Sequence, residues 1–175
     1  TASAHQRVMV IEVMGHKAGW IALHSGMAGG GDIILLPEIP FDIHRIGDAI
    51  INRLKKGKPY SIIVVAEGIP TIGGKKAAQY IAEEIEYETG FETRETVLGY
   101  IQRGGSPTAY DRNLATRMGG HATELIAQGM FGRMVALKGN AIESVPLSEV
   151  ASKLKLVTED HDLVVQGRRM GICFG

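Results

Sequence analysis

The segment Ser61-Ile62-Ile63-Val64-Val65-Ala66 is almost unbroken in apolar, largely β-branched residues. A strand with one wet face alternates polar and apolar side chains, so an unbroken run suits a strand covered on both faces, as in a parallel sheet between helices. Arg7-Val8-Met9-Val10-Ile11-Glu12-Val13-Met14 and Asp32-Ile33-Ile34-Leu35-Leu36-Pro37-Glu38 read the same way. Helical spacing fills the intervals. Trp20 to Ala28 repeats Trp20, Leu23 and Met27, Phe41 to Gly57 aligns Ile43, Ile46, Ile50 and Leu54, and Lys75 to Thr89 stops at Gly90. A further strand is expected within Glu92 to Gln102, around Thr96-Val97-Leu98-Gly99, followed by a long helix from Ala109 to Gln128. Met134 to Leu137 and Ala141 to Pro146 suit a strand pair, and Leu147 to Leu154 a short helix. In the tail, Leu163-Val164-Val165 fits either a helix or a strand. Strands alternating with helices predict an α/β fold, a parallel-sheet three-layer sandwich of Rossmann-like form.

No repeat, linker or low-complexity stretch divides the chain, so residues 1–175 are read as a single lobe. Lys plus Arg equals Asp plus Glu at 19 each. A neutral chain lacks the basic field of a nucleic-acid or polybasic membrane binder, and its apolar runs are too short for a transmembrane helix. Thr1 to Arg7 has no apolar signal-peptide core, and one cysteine, Cys173, allows no internal disulfide, so a reducing cytoplasm is expected. The missing initiator Met and the early first strand suggest a fragment. The histidines lack zinc-site spacing, and neither G-x-G-x-x-G nor a Walker A loop occurs.

In an open parallel sheet, ligands bind beyond the carboxyl ends of the strands. Three segments meet that rule: Met14-Gly15-His16, Glu67, and Tyr100-Ile101-Gln102-Arg103-Gly104-Gly105. Arg103 can fork onto phosphate oxygens while the following glycines let backbone N–H groups approach an anion. Glu67, an acceptor when ionised, suits a sugar hydroxyl. Each also has a purely structural reading: Arg103 as a turn arginine that caps a helix or pairs with Asp111, and Glu67 as a helix cap. The mixture of groups suits a ligand that carries both hydroxyls and a phosphate.

Four strings, Glu12-Val13-Met14-Gly15, Ala66-Glu67-Gly68, Arg94-Glu95-Thr96-Val97-Leu98-Gly99 and Tyr100-Ile101-Gln102-Arg103-Gly104-Gly105-Ser106-Pro107, resemble the C-terminal half of 6-phosphofructokinases. Ala109-Tyr110-Asp111-Arg112 continues the resemblance, which spans Thr1 to Gly139. Lys17-Ala18-Gly19-Trp20-Ile21-Ala22-Leu23 and the ending Gly171 to Gly175 look more like the branch that mixes ATP- and pyrophosphate-dependent members.

The resemblance implies the substrate-binding lobe of the phosphofructokinase fold, in a glycolytic phosphotransferase acting on the 1-hydroxyl of fructose 6-phosphate. By resemblance, Met14, Gly15 and His16 contact the sugar phosphate, and Glu67 binds its hydroxyls. Tyr100 and Arg103, within the segment that includes Ile101 and Gln102, hold the 6-phosphate, and Arg7 and Arg94 reach that phosphate in a neighbouring subunit. A homo-oligomer, dimer or tetramer, follows, with Mg2+ and either ATP or pyrophosphate as co-substrate. Two positions depart from the family's usual pattern: Tyr100 stands where many members have histidine, and His16 where many have arginine. The donor-binding loops and the aspartate base of the N-terminal half do not occur, so no catalytic or metal-binding residue is expected in this chain, which is expected to pair with its own N-terminal lobe and to be inactive alone. An alternative is a non-catalytic regulatory lobe that binds a sugar phosphate or an effector, with Gly31, Asp32, Lys56 and Lys58 matching the allosteric positions.

Overall fold

The computed structural model of the chain describes residues 2–5 and 7–175, with only the backbone described for Ala4 and His5. Thr1 and Gln6, part of the stretch read for a signal peptide, lie outside the described residues. The elements run α1 (Ala2–His5), β1 (Val8–Val13), α2 (Trp20–Ala28), β2 (Ile33–Leu35), α3 (Ile43–Lys55), β3 (Ser61–Ala66), α4 (Ala77–Thr89) and β4 (Thr93–Val97). A 3-10 turn (Gly99–Arg103) then leads to α5 (Ala109–Ala127), β5 (Arg133–Lys138), β6 (Ala141–Pro146), α6 (Leu147–Val150) and α7 (Asp162–Arg169). They form two compact units, Thr1–Arg103 with Lys155–Gly175, and Gly104–Leu154. Neither boundary carries a linker or a change of composition, so the division was not visible in the sequence.

In the first unit, among the described residues, four parallel strands lie in the order β2-β3-β1-β4. Register aligns Val8 with Ser61 and with Thr93, which brings the carboxyl ends of β1, β3 and β4 to one edge. The period of two along each strand sends alternate residues to opposite faces. Val8, Val10, Ile33, Leu35, Ile63 and Val65 pack on α3 and α4, through Ile46, Ile50, Ala78, Ile81 and Ile85. Val13, Ile34, Leu36, Val64 and Ala66 pack on α2 and the tail, through Leu23, Val164 and Phe174. The three-layer α/β/α architecture is therefore as expected, and each fully buried Leu, Ile or Val side chain contributes about 1.5–3 kcal/mol.

Several bounds shift for identifiable reasons. β4 is Thr93–Val97, earlier than expected, because it is an edge strand exposed along most of its length and lacks the apolar run that marks β1 and β3. The segment Val97-Leu98-Gly99 closes the ladder instead: Leu98 N–H donates to Glu12 O at 3.1 Å, and Ile101 N–H donates to Leu98 O at 3.3 Å, starting the 3-10 turn. α3 begins at Ile43 because Asp42 is its N-cap, accepting from His44 N–H at 2.9 Å. β2 ends at Leu35, α4 begins at Ala77 and α6 stops at Val150, so these three elements are shorter than expected.

The ambiguous tail is helical, with His161 as N-cap of α7 and its Nδ1 accepting from Leu163 N–H at 3.3 Å. Beyond α7, Cys173 bridges in parallel to Ile33: Ile34 N–H donates to Cys173 O at 2.9 Å, and Cys173 N–H to Asp32 O at 3.1 Å. The tail thereby pairs with the outer edge of β2.

The second unit combines α5 with an antiparallel β5–β6 ribbon, in register from Arg133↔Pro146 to Lys138↔Ala141. Thr108 and Asp111 close a capping box at the start of α5. The hydrogen bonds from the Thr108 side chain and backbone hold the Asp111 carboxyl below the usual carboxylate range.

Candidate functional site

At the carboxyl edge of the sheet, Met14, Gly15, His16, Ile21, Glu67, Gln102 and Arg103 line one cleft of about 530 Å³. β1 delivers the first three residues, β3 delivers Glu67, and the turn after β4 delivers Gln102 and Arg103. Parallel register is what gathers them: chain segments 51 and 52 residues apart meet because both strands end at the same edge.

The Glu67 carboxylate organises the loop. Its Oε1 accepts from Gly15 N–H at 3.0 Å and from His16 N–H at 2.7 Å, and its own N–H donates to Val13 O at 3.0 Å. Glu67 therefore does not act as the helix cap of its structural reading: one oxygen carries the loop, and the side chain remains exposed in the cleft. A charged acceptor makes such bonds about twice as strong as neutral ones. Gln102 Oε1 accepts from Met14 N–H at 3.3 Å while its Nε2 donates to Gly99 O at 3.1 Å, so this amide ties the 3-10 turn to the end of β1. Arg103 lines the same cleft with its side chain exposed.

The loop is tight enough to dictate residue type. His16 holds φ 54°, a left-handed conformation that costs a side-chain-bearing residue free energy and recurs at ligand-binding loops. Across from it, a Cβ on Gly68 would sit 2.0 Å from His16 O. Gly68→Ala is therefore expected to displace the loop and to destabilise the protein by about 2 kcal/mol or more, read as a lower midpoint in chemical denaturation together with faster amide exchange over residues 14–19.

Other expected site residues lie elsewhere. Tyr100 and Ile101 are 83% and 80% exposed and stand outside the cleft lining. Arg7 and Arg94 sit at the amino edge of the sheet, where both donate to Glu92, Arg7 Nε to Oε2 and Arg94 to Oε1, each at 2.5 Å. Those bonds, with Arg7 the larger influence, hold the Glu92 carboxyl below the usual carboxylate range. Seven residues separate Arg7 from Met14 along β1, roughly 20 Å at the rise of a strand, so one chain does not bring these two arginines to its own cleft.

The four effector candidates differ in how far they are committed within the fold. Asp32 Oδ1 pairs with Arg53 at 2.7 Å and Oδ2 accepts from Ile62 N–H at 2.9 Å, so both oxygens are committed to joining β2, β3 and α3. Gly31 is buried against α2, its N–H donating to Gly26 O at 2.7 Å, whereas Lys56 and Lys58 are exposed.

Two residues with a part in the site carried no role in the sequence reading. Ile21 supplies the apolar wall of the cleft; its helical spacing from the loop was the available signal. Glu38, three residues past β2, accepts from Gly19 N–H at 2.9 Å and 3.1 Å and from Val157 N–H at 3.0 Å, and no local pattern announces a pairing across 119 residues.

Among the described residues, no three His, Cys, Asp or Glu side chains converge as a metal site, and no helix is long and apolar enough to cross a membrane.

The phosphofructokinase family model matches residues 1–126. The chain is 81% identical over 175 residues to an ATP-dependent 6-phosphofructokinase 3 of Bacteroides thetaiotaomicron, covering 100% of this chain and 52% of that protein. It is 47% identical over 179 residues to a pyrophosphate–fructose 6-phosphate 1-phosphotransferase of Amycolatopsis methanolica, covering 92% and 52%. A pyrophosphate-dependent phosphofructokinase from Marinobacter aquaeolei superposes with a TM-score of 0.78 at 25% identity, over 99% of this chain and 46% of the other. The chain thus spans about half the length of the curated relatives it matches.

Proposed function

Because the chain belongs to the phosphofructokinase family, we propose that its carboxyl-edge cleft is the fructose 6-phosphate subsite of a glycolytic 6-phosphofructokinase. The observation that carries this reading is the meeting of Arg103 and Glu67 with the Met14–His16 loop in one cleft of about 530 Å³. A phosphate dianion needs fixed donors, and Arg103 offers a forked pair of N–H groups. A sugar hydroxyl needs an acceptor, and Glu67 keeps Oε2 for it while Oε1 holds the loop. Ile21 gives the sugar ring an apolar wall. Tyr100, on the same 3-10 turn as Gln102 and Arg103 but outside the lining, offers a phenolic donor for the 6-phosphate.

Arg7 and Arg94 serve the site of a second copy. Glu92 holds both guanidinium groups at one place on the amino edge, so a neighbouring subunit's phosphate would meet two cations together. The protein is accordingly a homo-oligomer with shared pockets, working in the cytoplasm. Its co-substrate is ATP or pyrophosphate, the donors that name its relatives. Mg2+ would come with the phosphates of the donor rather than in an all-protein cage. Phosphoryl transfer requires donor, metal and acceptor to be positioned together, and this chain supplies the acceptor side. These 175 residues are therefore the sugar-phosphate-binding lobe and do not turn over alone.

The test combines product formation with subunit mixing. The complete protein is expected to form fructose 1,6-bisphosphate from fructose 6-phosphate with ATP or pyrophosphate, whereas the 175-residue chain is expected to form none. Arg94→Ala and Arg103→Ala subunits, each with a strongly raised KM for fructose 6-phosphate, are expected to regain part of their activity at low substrate when mixed, because some pockets then receive both native arginines. No product with either donor would overturn the reaction assignment; no rescue on mixing would overturn the shared pocket.

A further inference from the structure

The Met14–Gly19 loop is held at both ends by carboxylates from strand ends, and only one of them faces the cleft. Glu67 takes the N–H groups of Gly15 and His16. Glu38, half-buried and outside the cleft lining, takes the N–H of Gly19, the residue that opens α2. Gly19 has no side chain to cap α2, and a Cβ there would lie 2.7 Å from Leu36 Cδ2 and 2.8 Å from Glu38 Oε2, so glycine at this position is what lets the Glu38 carboxylate reach the backbone. The positive end of the α2 dipole adds to the attraction for this carboxylate.

Glu38 also binds the tail. The same Oε1 that accepts from Gly19 accepts from Val157 N–H at 3.0 Å. Next to it, Trp20 Nε1–H donates to Lys155 O at 2.6 Å, the Lys155 ammonium lies 5.3 Å from the Trp20 ring centroid, and His161 meets that ring edge-on at 5.1 Å. The segment from Lys155 to His161 is thus clasped to the first turn of α2 by a carboxylate and an indole side by side. Ile21, the next residue of that turn, lines the cleft.

We propose that Glu38 is a positioning residue for the sugar-phosphate subsite: it fixes the far end of the loop and couples the loop to the C-terminal tail through Val157 and Trp20. The proposal rests on the fructose 6-phosphate reading of the cleft. Without the Glu38 carboxylate, the Gly19 N–H has no acceptor, the first turn of α2 frays, and Ile21, which that turn carries, loses its fixed place in the cleft wall. With Glu38→Gln, one amide oxygen still accepts from Gly19 and Val157.

The experiment uses the complete protein and its Glu38→Ala, Glu38→Gln and Trp20→Phe variants. Amide exchange over residues 14–23 and 155–162 is measured without substrate, and KM is measured for fructose 6-phosphate and for the phosphoryl donor. Glu38→Ala is expected to speed exchange in both segments and to raise the fructose 6-phosphate KM about tenfold, as for one lost bond to a charged acceptor, with the donor KM unchanged. Glu38→Gln is expected to recover most of that loss. Trp20→Phe, which keeps a ring but removes the N–H, is expected to speed exchange in the tail more than in the loop. Faster exchange with an unchanged fructose 6-phosphate KM would overturn the positioning role, as would equal rises in both KM values. Unchanged exchange in both segments would overturn the clasp itself. If the unsubstituted protein shows no dependence on fructose 6-phosphate, the functional reading fails instead, and the exchange data still decide the clasp.

Discussion

Arg103→Ala in the complete protein is expected to raise the KM for fructose 6-phosphate by about a hundredfold, with the KM for the phosphoryl donor within a factor of two. The size follows from the chemistry of a forked guanidinium on a phosphate dianion. Bonds to charged groups are each worth about 1.5–3 kcal/mol, and two lost together reach the scale of a hundredfold change in binding. Arg103 reaches the cleft from a 3-10 turn that Gln102 anchors independently, through Met14 N–H and Gly99 O. Truncating Arg103 therefore leaves the loop in place and removes charge alone. Arg103→Lys keeps the charge without the fork and is expected to recover only part of the loss. Steady-state kinetics with each substrate varied in turn check this; equal effects on both KM values would show that Arg103 supports the fold rather than the phosphate.

Glu67→Ala is expected to have the second large effect, lowering kcat/KM for fructose 6-phosphate by about a hundredfold or more, because it removes one acceptor from the sugar and the one oxygen that takes two N–H groups of the loop. The loss divides by substitution. Glu67→Gln keeps an oxygen for Gly15 and His16 N–H but offers the sugar an amide in place of a carboxylate, so its expected cost is about tenfold, as for one bond to a charged acceptor. The loop in Glu67→Gln should remain protected from amide exchange while that in Glu67→Ala opens. If the two variants lose equal activity and equal protection, Glu67 acts on the loop alone and the sugar hydroxyl is bound elsewhere.

How far the sequence reveals such a site depends on whether each signal is local. β1 and β3 were legible because a strand covered on both faces carries an unbroken apolar run, and α3 because Ile43, Ile46 and Ile50 repeat on one face. β4 was misplaced by a few residues because an exposed edge strand carries no such run. The tail stayed ambiguous because three apolar residues fit both periods, and what settles it as a helix is the His161 cap with the burial of Val164. The cleft residues Met14, Glu67 and Arg103 were found because a parallel sheet places ligands beyond its carboxyl ends, a rule that needs only the strand ends to be known.

The sequence by itself thus determined the layer architecture and which segments end at the ligand edge, since hydrophobic periodicity and strand ends are properties of neighbouring residues. Only the tertiary structure decided what each acid does. Glu12, on a strand, caps α4 by accepting from Ala78 N–H at 2.8 Å, Glu67 holds the Gly15 and His16 N–H groups at the mouth of the cleft, and Glu38 joins the start of α2 to Val157. It also placed Arg7 and Arg94 at the opposite edge from Arg103 and closed both oxygens of Asp32 against Arg53 and Ile62. The physical reason is the same in each case: a carboxylate takes whichever donors the packed backbone leaves unpaired, and those donors lie tens of residues away along the chain, where no local pattern records them.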